Sequence, residues 1–328
     1  MKKLGGHYHP VDRRAAFVHA GPMAADIFLP DFETALASRA RSVEAALEKL
    51  LDDRARNGEI VRPQRLLAAM RHGVLNGGKR LRPFLVMESA ALFAADKEPA
   101  LRVAAALECI HCYSLVHDDL PAMDNDDIRR GQPTVHKAFD EATAILAGDS
   151  LLTYAFEIIA GEETALPVQT RMTLVTALAR AAGHGGMTGG QMLDLAAETR
   201  KPDEAGIITL QAMKTGALIR FACEAGAIIG NATPEDRERL AEYGAAIGLA
   251  FQLADDLLDV TADAAKMGKA TGKDAAAGKA TLVSMHGVEW TKKQLKGLVE
   301  QAEMLLEPFG ADAALLKQAA RFIADRQS

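Results

Sequence analysis

The chain has 328 residues, 49% hydrophobic and 25% charged, the composition of a folded globular protein and not of a disordered one. Aromatics make up only 5% while Ala and Leu recur in almost every segment, which favours helix over sheet. A net charge of −6 argues against a nucleic-acid surface, and three cysteines are too few for a disulfide scaffold and point to a reducing compartment.

In chain order, residues 1–30 read as a flexible extension. Lys2 and Lys3 are followed by Gly5, Gly6, His7, Tyr8, His9 and Pro10, where a signal peptide needs an apolar run. No stretch approaches the roughly 20 apolar residues of a membrane span, so the cytoplasm is the expected location. A first helix is predicted over 31–56, ended by Asn57-Gly58. Pro63, Pro99 and Pro167 sit where a first-turn proline is tolerated. Cys109-x-x-Cys112 lies in an apolar run with no second cysteine pair, so both residues are expected to be buried in a helix. Thr233-Pro234-Glu235-Asp236 has the form of a capping box opening a long helix to about residue 260. Alternating runs are nearly absent. The expectation is an all-α fold of about ten to twelve helices forming one domain over 31–328.

Four segments break the helical pattern: 76–83, 120–134, 183–190 and 261–280. In a regular helical protein such loops concentrate function. The densest acidic run spans 118–127, with Asp118 and Asp119 following the apolar stretch 104–116. Asp124 would be turned away by a straight helix, but Pro121 disfavours helix at the preceding residue and lets Asp124 swing back toward the pair. A second cluster is Asp255, Asp256 and Asp259. At 100° per residue these positions fall within one 100° arc, and Phe251, Leu253, Leu257 and Leu258 around them are apolar. Carboxylates packed this closely repel one another unless a cation neutralises them. Hard oxygen ligands suit Mg²⁺, which binds through a few carboxylates plus substrate phosphates. An EF-hand reading of Asp124-Asn125-Asp126 fails, because Arg129 stands where that loop needs glycine and Val135 where it needs glutamate.

Basic groups sit in the same breaks. Gly77-Gly78-Lys79-Arg80-Leu81-Arg82-Pro83 places three cations beside glycines, a plausible diphosphate cradle. Arg129-Arg130-Gly131 follows the first acidic run, Lys214-Thr215-Gly216 offers an ammonium and a hydroxyl, and Lys266, Lys269, Lys273 and Lys279 punctuate the segment after the second.

The ordered set GGKRLRP, DDLPAMDNDD-IRRG, GGQMLDL, KTG, FQLADDLLD and GKATGKD-AAAGKAT resembles the signature of the trans-prenyltransferases over roughly 31–328. That resemblance implies a helical bundle around a deep apolar cavity, usually a homodimer, with the acidic motifs facing each other at its mouth. It implies that Asp118, Asp119, Asp124 and Asp255 hold Mg²⁺, about three ions once diphosphate is bound, and that Asp256 and Asp259 complete the second motif. Arg129, Lys214, Thr215, Gln252, Lys269 and Lys279 would bind the allylic diphosphate. Lys79, Arg82, His111 and Arg130 would bind isopentenyl diphosphate. Gln191 falls in the GGQ-x-x-D pattern with Asp194 one turn on, His117 takes a supporting place, and the ending 322–326 resembles that of the family.

The implied reaction is ionisation of a neutralised allylic diphosphate, attack by the isopentenyl double bond, and loss of a proton. No Ser–His–Asp or Cys–His arrangement offers a side-chain nucleophile. Tyr113, about 7.5 Å down a helix from Asp118 at 1.5 Å per residue, resembles a floor that stops growth at C15, and Ser114 beside it is too small to block. A C20 product is the alternative. A terpene cyclase would not need the GGKRLRP cluster and a second acidic motif, a regulatory subunit would be expected to lose carboxylates, and a di-iron bundle would show Glu-x-x-His pairs.

Overall fold

The computed structural model describes residues 31–56, 58–260 and 281–325, with the backbone of one helix continuing to Met267. The helices are α1 (Phe32–Leu50), α2 (Gln64–Val74), α3 (Leu81–Ala91), α4 (Lys97–Asp118), α5 (Val135–Ala138), α6 (Glu141–Ala160) and α7 (Val168–Ala182). They continue as α8 (Met187–Thr199), α9 (Glu204–Gln211), α10 (Ala217–Ile229), α11 (Pro234–Met267), α12 (Leu282–His286), α13 (Val288–Leu305) and α14 (Ala314–Ala324). The all-α expectation holds. Among the described residues the only sheet is a hairpin of β1 (Ile128–Arg129) and β2 (Gln132–Pro133).

The sequence pattern explains who sits in the middle. α4 and α10 are apolar around most of their circumference, as a central helix must be. α4 packs on α6, α3, α1, α2 and α10, and α10 packs also on α7 and α11. Cys109, Cys112 and Cys223 are buried free thiols in these two helices. α2 and α14 carry their apolar residues on one side and lie at the periphery. Each fully buried Leu or Ile here contributes about 1.5–3 kcal/mol relative to exposure. By length and mean hydropathy (1.2 and 1.3) α4 and α6 would suffice to cross a membrane, which the reading of short apolar runs did not anticipate. α4, however, is buried over most of its length and carries the buried carboxylate Glu108.

Helix ends follow their caps. Asp96, Asp140 and Asp203 each accept a first-turn N–H, opening α4, α6 and α9. Thr233 accepts the N–H of Asp236 at 3.1 Å and so caps α11 where the sequence placed a capping box, with its hydroxyl also 3.0 Å from Asp236 Oδ2. α1 stops six residues earlier than predicted, at Leu50 against residue 56. Its terminal carbonyl is taken by groups distant in sequence: Leu50 O accepts from Arg62 Nη1 and from the Tyr154 hydroxyl, at 3.1 and 2.7 Å. A helix whose last carbonyls are satisfied by tertiary partners has no need to continue. Pro63 and Pro167 stand just before α2 and α7, and Pro99 lies inside the first turn of α4.

Candidate active site

The first acidic motif hangs from the C-terminal end of α4. The helix ends at Asp118, Leu120 and Pro121 start a turn, and the N–H of Asp124 donates to Asp118 O at 2.8 Å. Asp124 is thereby brought back to the pair. The chain then enters β1, and Arg130 (φ 52°) and Gly131 (φ 76°) form the turn to β2. Two consecutive positive φ values are what a two-residue hairpin requires, and only the glycine was a visible signal for it. This hairpin aims Arg129 and Arg130 in different directions. Arg129 donates through Nε and Nη2 to Asp119 Oδ1 at 2.7 and 2.6 Å. Arg130 reaches back to the glycine loop, where Nη1 donates to Asn76 Oδ1 at 3.2 Å and to Gly77 O. Gly78 sits at φ +116°, a conformation that L side chains rarely adopt, and a Cβ there would also push the Arg130 guanidinium aside.

Burial raises the Asp118 carboxyl to about 6; the Lys214 ammonium opposes this, and Asp124 and Asp119 add to it. A group whose charge is disfavoured by burial and by like-charged neighbours is one that a divalent cation relieves, so this donor set fits Mg²⁺. Among the described residues no three His, Cys, Asp or Glu side chains already converge on one metal-holding point. Two of the carboxylates are already partnered: Arg129 donates to Asp119, and side-chain amides donate to Asp256. Diphosphate oxygens would complete the coordination.

Of the three cations of the glycine loop, Arg80 is turned away from the site. Arg80 is fully buried, donating to Glu108 Oε1 and to Val74 O, each at 2.6 Å. It fastens the loop to the middle of α4 and is not part of a cradle. Lys79 is exposed, its Nζ 5.2 Å from the centre of the Phe322 ring on α14. Arg82 Nη1 lies 3.5 Å from His111 Nε2. Burial, and then the Arg82 charge, hold His111 well below its ordinary pKa, so it is neutral and can accept from Arg82. His117 turns toward α6, with Nε2 3.0 Å from Ile145 O. Ser114 donates to His111 O at 2.8 Å.

Residues 212–216, between α9 and α10, form a π-helical turn that the sequence did not announce. Such turns bulge the backbone and are frequent at functional sites. Here the turn projects Lys214 toward the first acidic motif and Thr215 toward the second. Lys214 Nζ donates to Asp194 Oδ2 at 2.5 Å. Thr215 Oγ1 donates to Gln252 Oε1 at 3.0 Å, and Gln252 Nε2 donates to Asp256 Oδ1 at 2.9 Å. The turn packs directly on α8 because Gly190 has no side chain: a Cβ there would lie 2.2 Å from Lys214 N. The two acidic motifs, 137 residues apart in sequence (255 − 118), therefore meet around Lys214 and Thr215.

Of the second motif, Asp256 is buried, Asp255 half-buried and Asp259 exposed. The three still share one face of α11, but the expectation that all of them look into an apolar interior needs correction at Asp259, which is open to solvent. Lys266, Lys269, Lys273, Lys279 and Arg326 lie outside the residues whose side chains are described. Sequence reasoning missed Gln211. Its Nε2 donates to Asp256 Oδ2 at 2.8 Å from a buried position, and no motif in the sequence marks it.

The sequence profile of the polyprenyl synthetase family matches residues 63–312. The chain belongs to the polyprenyl synthetase family. It is 39% identical over 295 residues to the farnesyl diphosphate synthase of Geobacillus stearothermophilus, covering 90% of this chain and 97% of that one. It is 40% identical over 303 residues to geranylgeranyl pyrophosphate synthase 9, chloroplastic, of Arabidopsis thaliana, covering 91% and 82%. The crystal structure of an FPP/GFPP synthase from Zymomonas mobilis superposes with a TM-score of 0.79 at 46% identity, over 89% of this chain and 98% of that one. The polyprenyl synthetase match begins at Pro63, so α1 lies outside it, although Phe32 joins α1 to α3 and α14 through Phe84 and Phe322, at ring distances of 5.3 and 4.9 Å.

Proposed function

We propose that this chain is a Mg²⁺-dependent trans-prenyltransferase that condenses isopentenyl diphosphate head-to-tail (1′-4) with dimethylallyl or geranyl diphosphate, ending at farnesyl diphosphate. The observation that carries the reading is the convergence of Asp118, Lys214, Thr215 and Gln252, with Tyr113 on α4 below them. When bound, Mg²⁺ supplies the charge neutralisation that turns diphosphate into a leaving group. Asp118, Asp119, Asp124 and Asp255 would hold about three such ions, with Asp259 beside them. Lys214, Thr215, Gln252 and Arg129 bind the allylic diphosphate, together with Lys269 and Lys279. Preorganised donors of this kind stabilise the charge that develops as the C–O bond breaks.

Isopentenyl diphosphate is held by Lys79, Arg82, His111 and Arg130, which orients its double bond toward the allylic carbon. The carbon–carbon bond forms as the double-bond electrons move to that carbon, and a proton then leaves to restore an allylic diphosphate. Neutral His111 suits this place, since it adds no charge of its own and accepts from Arg82. The apolar walls between the helices keep water from the carbocation. We read 31–328 as one synthase domain after an extension over 1–30, working as a homodimer in the cytoplasm.

A product assay with isopentenyl diphosphate and dimethylallyl, geranyl or farnesyl diphosphate tests the reading, with and without Mg²⁺. A C15 product that disappears with chelator is expected. A C20 product keeps the reaction and removes the farnesyl assignment, and no condensation with any starter overturns the reading.

A further inference from the structure

We propose that Gln211 is a positioning residue, and that with Gln252 it holds Asp256 as a two-amide clamp locking the π-helical turn that presents Lys214 and Thr215. The inference rests on the transfer reaction proposed above. Asp256 is 8% exposed and Gln211 5%. Asp256 Oδ2 accepts from Gln211 Nε2 at 2.8 Å and Oδ1 from Gln252 Nε2 at 2.9 Å. Gln252 then turns its own oxygen to the Thr215 hydroxyl at 3.0 Å. The chain of bonds runs from α9 through α11 into the turn.

Three features single Gln211 out. It is the last residue of α9 and immediately precedes the π-helical residues 212–216, so its bond to Asp256 ties α11 to the very start of the bulged turn. Its Oε1 is buried with no hydrogen-bond partner, so a polar side chain is retained at a cost for the sake of the bond its Nε2 makes to Asp256. And Asp256, with an amide on each oxygen, faces donors and not a cation. The clamp assigns Asp256 to holding the turn, and leaves Asp255 and Asp259 of that motif to Mg²⁺.

The test is a polarity exchange. Gln211→Glu sets two carboxylates against each other and removes the donor. Combined with Asp256→Asn it restores both bonds. The amide then introduced at position 256 donates to the carboxylate introduced at position 211, and its oxygen still accepts from Gln252, with the net charge unchanged. Displacing diphosphate-binding groups by about 1 Å costs on the order of 100-fold. We therefore expect Gln211→Glu to lower kcat by roughly 10- to 100-fold, and the double variant to recover most of it. The Mg²⁺ concentration for half-maximal rate should stay within about twofold of wild type in the double variant. Calorimetric binding of Mg²⁺ with inorganic pyrophosphate gives a readout without turnover: weakened in Gln211→Glu, regained in the exchange.

If Asp256 is a metal ligand, the double variant stays impaired in both readouts and its Mg²⁺ requirement rises; that result overturns the clamp. Wild-type activity in Gln211→Glu also overturns it. A wild type that performs no condensation removes the reaction instead, and the pyrophosphate measurement then decides the clamp alone.

Discussion

Asp118→Asn is expected to lose about 10²–10³ in kcat while making the metal-free protein more stable. The two effects have one cause. Burial, with Asp124 and Asp119 nearby, raises the Asp118 carboxyl from 3.8 to about 6 despite the Lys214 charge. A carboxyl whose folded pKa exceeds its unfolded value binds its proton more tightly when folded. Its contribution to stability is therefore present at low pH, falls as pH rises through 3.8, and above about 6 is a constant penalty. A rise of this size corresponds to at most about 3 kcal/mol, and partial access to solvent makes about 1–2 kcal/mol the working figure. The Asn variant carries no such penalty at pH 8. In chelator it should melt above wild type at pH 8 and by a smaller margin at pH 5. Added Mg²⁺ with inorganic pyrophosphate should reverse the order, because the wild type offers the cation the one carboxylate that the variant lacks. A variant that melts below wild type in chelator at pH 8 would show that Asp118 is stabilised by its present neighbours and is not waiting for a cation.

The residues most legible in the sequence were those whose chemistry is local. Asp118, Asp119 and Asp124 could be grouped because Pro121 must break α4, and the Asp124 N–H bond to Asp118 O is the direct consequence. The helix cap at Thr233 was equally local. What escaped was set by tertiary partners. Arg80 reads as one of three equivalent cations, yet Glu108, 28 residues away, draws it into the interior. The end of α1 depended on Arg62 and Tyr154. The π-helical turn at 212–216 has no compositional mark, and the close approach of α8 to it depends on Gly190, a glycine distant in sequence. Gln211 was invisible for the same reason, since a lone glutamine acquires meaning only once Asp256 is placed opposite it.

Tyr113→Ala should lengthen the product beyond C15, whereas Tyr113→Phe should leave it at C15. Tyr113 sits on α4 five residues before Asp118, 8% exposed, its ring edge-on to His117 at 5.8 Å. Thr188 commits its hydroxyl proton to Ala182 O at 2.7 Å, so at 3.4 Å it can only accept from the Tyr113 hydroxyl. The phenol is thus tethered across to the start of α8, as a fixed barrier beneath the diphosphate groups would be. An alternative is an ordinary packed aromatic, and stability separates the two. Truncating a fully packed aromatic costs about 3–5 kcal/mol, through lost contacts and an unfilled cavity. A ring that already borders the space occupied by substrate loses contacts on one side only and should cost less than that. The expected pair of results is a modest drop in the urea midpoint and a shift of radiolabelled product from C15 to C20 or longer. A drop of full size with unchanged C15 product would place the ring in the core and move the length limit elsewhere. Tyr113→Phe keeps the ring and gives up the bond to Thr188, so an unchanged product there assigns the limit to the bulk of the ring and not to its tether.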